Sequence, residues 1–167
     1  DGNGSTLPLA PNRWLVMRLW ETARGTLSQR SWIIESDFTD PDEGAAPWLD
    51  ERNGRVEITR LGRKVALADW TEHGKASGSL TAFAPGNLGF AAFYPSCRGV
   101  FGFHDEADDL PDGTVCTYLV AGWFSRAASD PLSVGTAPKP EELWSERMLQ
   151  HRWAIPDDSA SRPTAVT

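Results

Sequence analysis

The residues best equipped for chemistry lie in one short stretch, His104, Asp105, Glu106, Asp108, Asp109 and Asp112, where an imidazole stands beside several carboxylates. Oxygen-rich loops of this kind wrap hard cations, and calcium, which takes roughly six to eight oxygen ligands, suits them. The helix–loop–helix calcium site sets Asp at alternating positions, then Gly, then a closing Glu, and only Asp112-Gly113 echoes that order. An acidic connection also keeps a hairpin soluble and discourages edge pairing. The stretch therefore reads first as a solvated loop. Its second reading is a calcium site, and with it a metal-dependent hydrolase, built from His104, Asp105, Asp108, Asp109 and Asp112. No other cofactor is expected.

Glu35 and Asp37, two apart on an extended segment, share a face and can form the carboxylate pair that acid–base catalysis uses. Strand ends also turn polar as they leave a core, and Arg18 on the neighbouring strand is expected to neutralise one of the two. His73 sits in a Thr-Glu-His-Gly turn and His151 on the apolar side of a helix, neither with the spacing of a zinc site. The chain has no Gly-x-Ser-x-Gly elbow and no Gly-rich loop ending in Lys-Ser or Lys-Thr. No catalytic residue is assigned.

The surface offers two other kinds of contact. Among eight Trp, Trp48 and Trp70 are set in polar surroundings, so they are the rings expected to remain partly exposed for a glycan or a protein. Arg52, Arg55, Arg60, Arg63 and Lys64 are interleaved with Asp50, Glu51 and Glu57. That mixture reads as a solvated hairpin face first and a docking surface second, with Arg55, Arg60 and Arg63 as its contacts.

The elements that must position these residues are mostly strands. Val100–Phe103 and Val115–Phe124 flank the loop Asp105–Gly113 and read as an aromatic-rich hairpin around which the chain is organised. Arg13–Trp20 is apolar on both faces, as a central, doubly covered strand would be. It pairs with Ser31–Phe38, whose Trp32, Ile34 and Phe38 face one way and Ile33, Glu35 and Asp37 the other, towards a half-wet edge. Thr39–Asp50 reads as a long loop pinned by Trp48. Arg55–Arg60 and Lys64–Leu67 form a small hairpin about Leu61-Gly62, and Asp69 caps a helical turn through Trp70–His73. Phe90–Tyr94 reads as a short strand.

Pro140, Glu141 and Glu142 open the best helix, with Leu143, Trp144, Arg147, Met148 and His151 on one face. The whole predicts a mainly β fold, an antiparallel β-sandwich or partly open barrel with one C-terminal helix packed across a face or end. It would occupy residues 11–155 as a single domain, between a flexible segment 1–10 and a linker 156–167. In the expected hairpin register Cys97 and Cys116 fall two side-chain pairs apart, so both are read as reduced core residues.

At 167 residues, with a net charge of -7, the chain is long enough for one proper core and is acidic. Negative charge repels nucleic acid and anionic membranes, whose affinity comes from Lys and Arg. No run approaches the ~20 apolar residues of a membrane span, and no basic start followed by an apolar core marks a leader, so a soluble chain is expected. The opening DGNGST reads as the start of a segment cut from a longer protein. Asn3-Gly4-Ser5 fits a glycosylation pattern of low specificity.

RWLVMRLW, SWIIESDF, FYPSCRGVFGFHDE and YLVAGWF together resemble segments near the start of large bacterial proteins that have no assigned activity. The resemblance spans most of Leu7–Ile155 and implies one domain of a longer chain, with no fold, cofactor or catalytic residue attached. The function expected is that of a noncatalytic structural or interaction module. Its partners would be other protein domains of the same or another chain, or a glycan in second place.

Overall fold

The computed structural model describes residues 9–50, 57–72, 80 and 94–152. Asn3, Arg52, Arg55, His73, residues 90–93 and the predicted linker lie outside them. The described strands are β1 (Arg13–Glu21), β2 (Leu27–Thr39), β3 (Ala46–Asp50), β4 (Glu57–Ala66) and β5 (Cys116–Trp123). They form one antiparallel sheet in the order β3-β4-β2-β1-β5. The mainly antiparallel β architecture is the one the aromatic and β-branched runs predict, and the sheet is not closed into a barrel.

β1 and β2 form the expected hairpin. Thr22 and Thr26 close its turn through Thr22 N–H to Thr26 O at 2.8 Å, and Gly25 supplies the left-handed φ of +72° that a side chain would resist. β2 is the central strand, and Trp32 to Asp37 are buried on both of its faces, so the predicted half-wet edge is corrected. The cause is pairing: β4 covers the flank of β2 that β1 leaves free.

Two further expectations are corrected at β3 and β4. The stretch read as a hairpin about Leu61-Gly62 is one continuous strand, because β2 and β3 supply partners on its two sides. Gly62, at φ +77°, marks an irregularity opposite Glu35–Thr39, where the register shifts. Part of the predicted loop Thr39–Asp50 is β3, an edge strand whose Pro47 an edge tolerates.

The organising hairpin is also corrected. β5 pairs with β1, from Arg13↔Trp123 to Trp20↔Cys116, and not with Val100–Phe103. That segment follows one helical turn, Tyr94–Cys97, and folds back on it: Cys97 O accepts the N–H groups of Val100, Phe101 and Gly102 at 2.8–3.0 Å. Gly99, at φ +70°, breaks the extended run. The segment lies over the sheet face that carries Trp14, Arg18 and Trp32, with Phe101 edge-on to Trp14 and Phe103 against Trp32 at 5.0 Å. Ala46, Leu61, Leu80 and Val100 make a buried cluster, and Trp48 packs against it. Cys97 and Cys116 are both free thiols.

The chain divides into two compact units, Asp1–Ser125 and Arg126–Thr167. In the second, α1 (Pro140–Gln150) starts with Pro in its first turn, Glu141 and Glu142 at the positive end of the dipole, and Arg147 in the last turn. Leu143, Trp144, Arg147 and Met148 are half-buried while the other α1 positions are exposed, which is the face read from the sequence except for His151, which is exposed just past the end of the helix. No helix among the described residues is long and apolar enough to cross a membrane.

Candidate functional site

β1 delivers two arginines into the interior, on opposite faces of the sheet because their positions differ in parity. Arg13 is 2% exposed and Arg18 0%. A buried guanidinium without anions is untenable, so each must be met by carboxylates.

Arg18 receives both from the acidic loop. Its Nη1 donates to Asp105 Oδ1 and Oδ2 at 2.9 and 2.8 Å, and its Nη2 to Asp109 Oδ1 and Oδ2 at 2.7 and 2.6 Å. Trp20 and Trp32 lie 4.9 and 5.5 Å from the guanidinium carbon and supply ring faces. Tyr118 donates its hydroxyl to Asp105 Oδ2 at 2.7 Å, and Ala107 N–H reaches Oδ1 at 3.1 Å.

These contacts set the titration. Desolvation acts to raise the pKa of Asp105, but the Tyr118 hydroxyl, the Ala107 amide and Arg18 together hold it below the usual carboxyl value. The Asp109 carboxyl is lowered chiefly by its bonds to Arg18. Burial and the bond to Asp105 raise the Tyr118 phenol.

The residues of the acid-rich stretch take different surroundings. Asp105 and Asp109 converge on a guanidinium. His104 is exposed, its ring 6.2 Å from Tyr94 and its carbonyl accepting from Lys64 Nζ at 3.1 Å. Asp108 and Asp112 are exposed. Among the described residues, no group of three or more His, Cys, Asp and Glu side chains is arranged to hold a metal ion.

On the other face, Glu35 and Asp37 do come together, around Arg13 and not Arg18. Arg13 Nη1 donates to Asp37, and its Nη2 to Glu72 Oε1 at 2.8 Å; Glu35 Oε1 lies 3.6 Å from its Nε. Arg63 donates to the second oxygen of Glu35. Asn12 completes the cluster, giving Nδ2 to Asp37 and to Ser125 Oγ at 2.8 Å each, while its Oδ1 accepts Ser125 N–H at 2.8 Å. Desolvation works against the charged form of Arg13, yet the bonds to Glu72 and Asp37 raise its pKa above the ordinary value. Glu35 and Asp37 are therefore both engaged with guanidinium groups and buried, an arrangement that holds strands together.

The predicted contact residues separate. Trp48 is half-buried against the core cluster. Trp70 is half-buried too, edge-on to Trp123 at 6.2 Å. Arg63 serves Glu35 and lies over the Phe38 ring at 4.0 Å. Arg60 donates to Gly44 O and Ala45 O at 2.6 and 2.8 Å. Arg55 lies outside the described residues. Sequence reasoning missed Arg13, Glu72 and Asn12, and missed Arg18 as the anchor of the acidic loop. A signal was present: two arginines in a strand otherwise fit for two-sided burial demand carboxylates from elsewhere.

The sheet has two edges, and they differ. β3 is short, with Pro47 inside it and Asp50 at its end. β5 is eight residues, CTYLVAGW, without a charge or a proline. Tyr118, Leu119 and Val120 are 44%, 54% and 62% exposed. Comparison with known proteins finds no matching family model, no matching characterised protein and no matching solved structure.

Proposed function

We propose that the domain is a noncatalytic interaction module that takes up an extended segment of a partner protein by strand addition along β5. The observation that carries this reading is the uncharged and apolar β5 edge, unpaired among the described residues, on a sheet whose other edge is blunted. Unpaired N–H and C=O groups on such an edge template another strand, and proteins that gain nothing from pairing protect them with Lys, Pro or shortness. The engagement of Glu35, Asp37, Asp105 and Asp109 with buried arginines supports the noncatalytic part of the reading, since it leaves them committed to structure.

Charge selects the partner's chemistry. The exposed Asp108 and Asp112 precede β5, so the fitting segment alternates apolar residues and carries Lys or Arg at the end beside Cys116. The test is an NMR titration with a ten-residue peptide of alternating Val and Thr bearing two terminal lysines. Amide shifts confined to Cys116–Trp123, weakened about tenfold by Val120→Lys with the fold intact, are expected, because an edge lysine opposes added strands. Binding that ignores Val120→Lys, or shifts elsewhere on the sheet, would remove the reading.

A further inference from the structure

A second surface feature runs against the composition of the chain. A cleft of about 240 Å³ is lined by Ile34, Phe103, Arg60, Lys64, Arg98 and His104 together with Gly44, Ala45, Gly99 and Gly102, and among the described residues no Asp or Glu lines it. The chain as a whole carries 23 acidic against 16 basic residues. Elsewhere in the described sheet the buried arginines, Arg13 and Arg18, are matched by carboxylates. Here Arg60 and Lys64 donate to backbone carbonyls instead. Arg98 pairs with Glu106 at 3.8 Å, with both side chains more than half exposed, so solvent screens the pair.

The donors are positioned and unsaturated. Arg60 is held by two carbonyls through Nε and Nη2, which leaves Nη1 without a partner among the described residues. Lys64 Nζ gives one bond, to His104 O at 3.1 Å, and an ammonium has three to give. The Phe103 ring is held by Trp32 at 5.0 Å and Tyr118 at 6.4 Å and supplies an apolar surface, with the buried Ile34 beneath the cleft.

The wall itself is rigid, because backbones meet there with no room for a side chain. A Cβ at Gly44 would collide with Arg60, one at Gly62 with the Gly99 carbonyl, and one at Gly99 would approach Ala45 to 2.8 Å. Ala45 N–H to Gly62 O at 2.6 Å ties the same strands. A preformed site loses little ordering entropy on binding.

We infer that this cleft binds a phosphate monoester, its dianion held by Arg60, Lys64 and Arg98 and its organic body laid on Phe103. Three cations against one solvent-screened carboxylate match a doubly charged tetrahedral group better than a singly charged carboxylate. The apolar surface favours an ester over the bare inorganic ion. The site is separate from the β5 edge, and each stands without the other.

The test is a set of NMR titrations at constant ionic strength with phenyl phosphate, inorganic phosphate and benzoate. Saturable shifts at Gly99, Gly102, Phe103 and His104 are expected, tightest for phenyl phosphate and weakest for benzoate. The double variant Lys64→Gln/Arg98→Gln should weaken phenyl phosphate at least about tenfold, whereas Arg24→Gln, on the exposed β1–β2 turn, should leave it unchanged. Unchanged thermal melting in the double variant separates lost binding from lost fold. Glycerol phosphate and a phosphoserine peptide, run side by side, distinguish a free metabolite from a phosphorylated partner, and preference for either upholds the site. Shifts that never saturate, benzoate binding as tightly as phenyl phosphate, or equal affinity in the double variant would overturn it.

Discussion

Arg13 and Arg18 share a strand, a depth and a chemistry, but they join different things. The partners of Arg13 are carboxylates of the adjacent strand, Glu35 and Asp37, with Glu72 from the segment after β4. Those of Arg18 come from a loop far along the chain, Asp105 and Asp109. The first site ties the sheet to itself, and the second pins a connecting segment onto it. Their exposure differs accordingly: the carboxylates of Glu35 and Asp37 are 3% and 1% exposed, those of Asp105 and Asp109 11% and 37%. A buried pair is costly to break mainly because of the charge left behind, so the two arginines should not be equivalent.

Arg13→Met is expected to be the most damaging change. It takes from the buried Asp37 its guanidinium, leaving Asn12 as a neutral donor, and leaves Glu35 to Arg63, a loss of about 3–5 kcal/mol that urea denaturation would read. Arg18→Met should cost less, about 1–3 kcal/mol, because its orphaned aspartates can turn to water. Its signature is local: faster amide exchange through residues 104–110 with slow exchange retained in β1 and β2. Equal losses for the two variants, or exchange protection kept in the loop of Arg18→Met, would erase the distinction.

Acid titration sharpens it further at lower amplitude. Asp105 and Asp109 ionise at lower pH in the folded chain than in the unfolded one. Their contribution is therefore fully present above the unfolded Asp value of about 3.9 and is lost as pH falls through the depressed folded values. The urea midpoint should drop below about pH 4, and Asp105→Asn should start lower but fall less steeply over that range. An equally steep fall in Asp105→Asn would show that other groups carry the acid sensitivity.

How much of this was legible depended on whether a feature is local. β1 and β2 stand out because their apolar runs are long, and α1 because Pro140, Glu141 and Glu142 mark its start and the half-buried positions recur at helical spacing. Pairing is not local. The run at β5 announces a strand but not its neighbour, so the nearer Val100–Phe103 looked like its partner until Gly99 and Gly102 are seen to turn that segment. β3 was hidden by Pro47, which reads as loop everywhere but at an edge.

The same limit misassigned the anion facing Arg18. Which residue opposes Glu35 depends on the length of the β1–β2 turn, and with the turn closed at Thr22 and Thr26 the register is Arg13↔Glu35 and Arg18↔Arg30. A shift of one residue would exchange the faces. Aspartates in a loop cannot announce from sequence whether a metal or a guanidinium awaits them, since both want the same oxygens.

The pairing of Arg13 with Trp123 joins positions about a hundred residues apart, and such distant closures are what make a topology slow to assemble. During synthesis β1 can zip to β2 at once, yet its other flank must wait until the ribosome has released the fifth strand. Through that interval β1, with Leu15, Val16, Met17 and Leu19, is open along one side, and Arg18 lacks its acidic loop. The net charge of -7 helps to keep such a nascent chain apart from its neighbours until the last ladder forms.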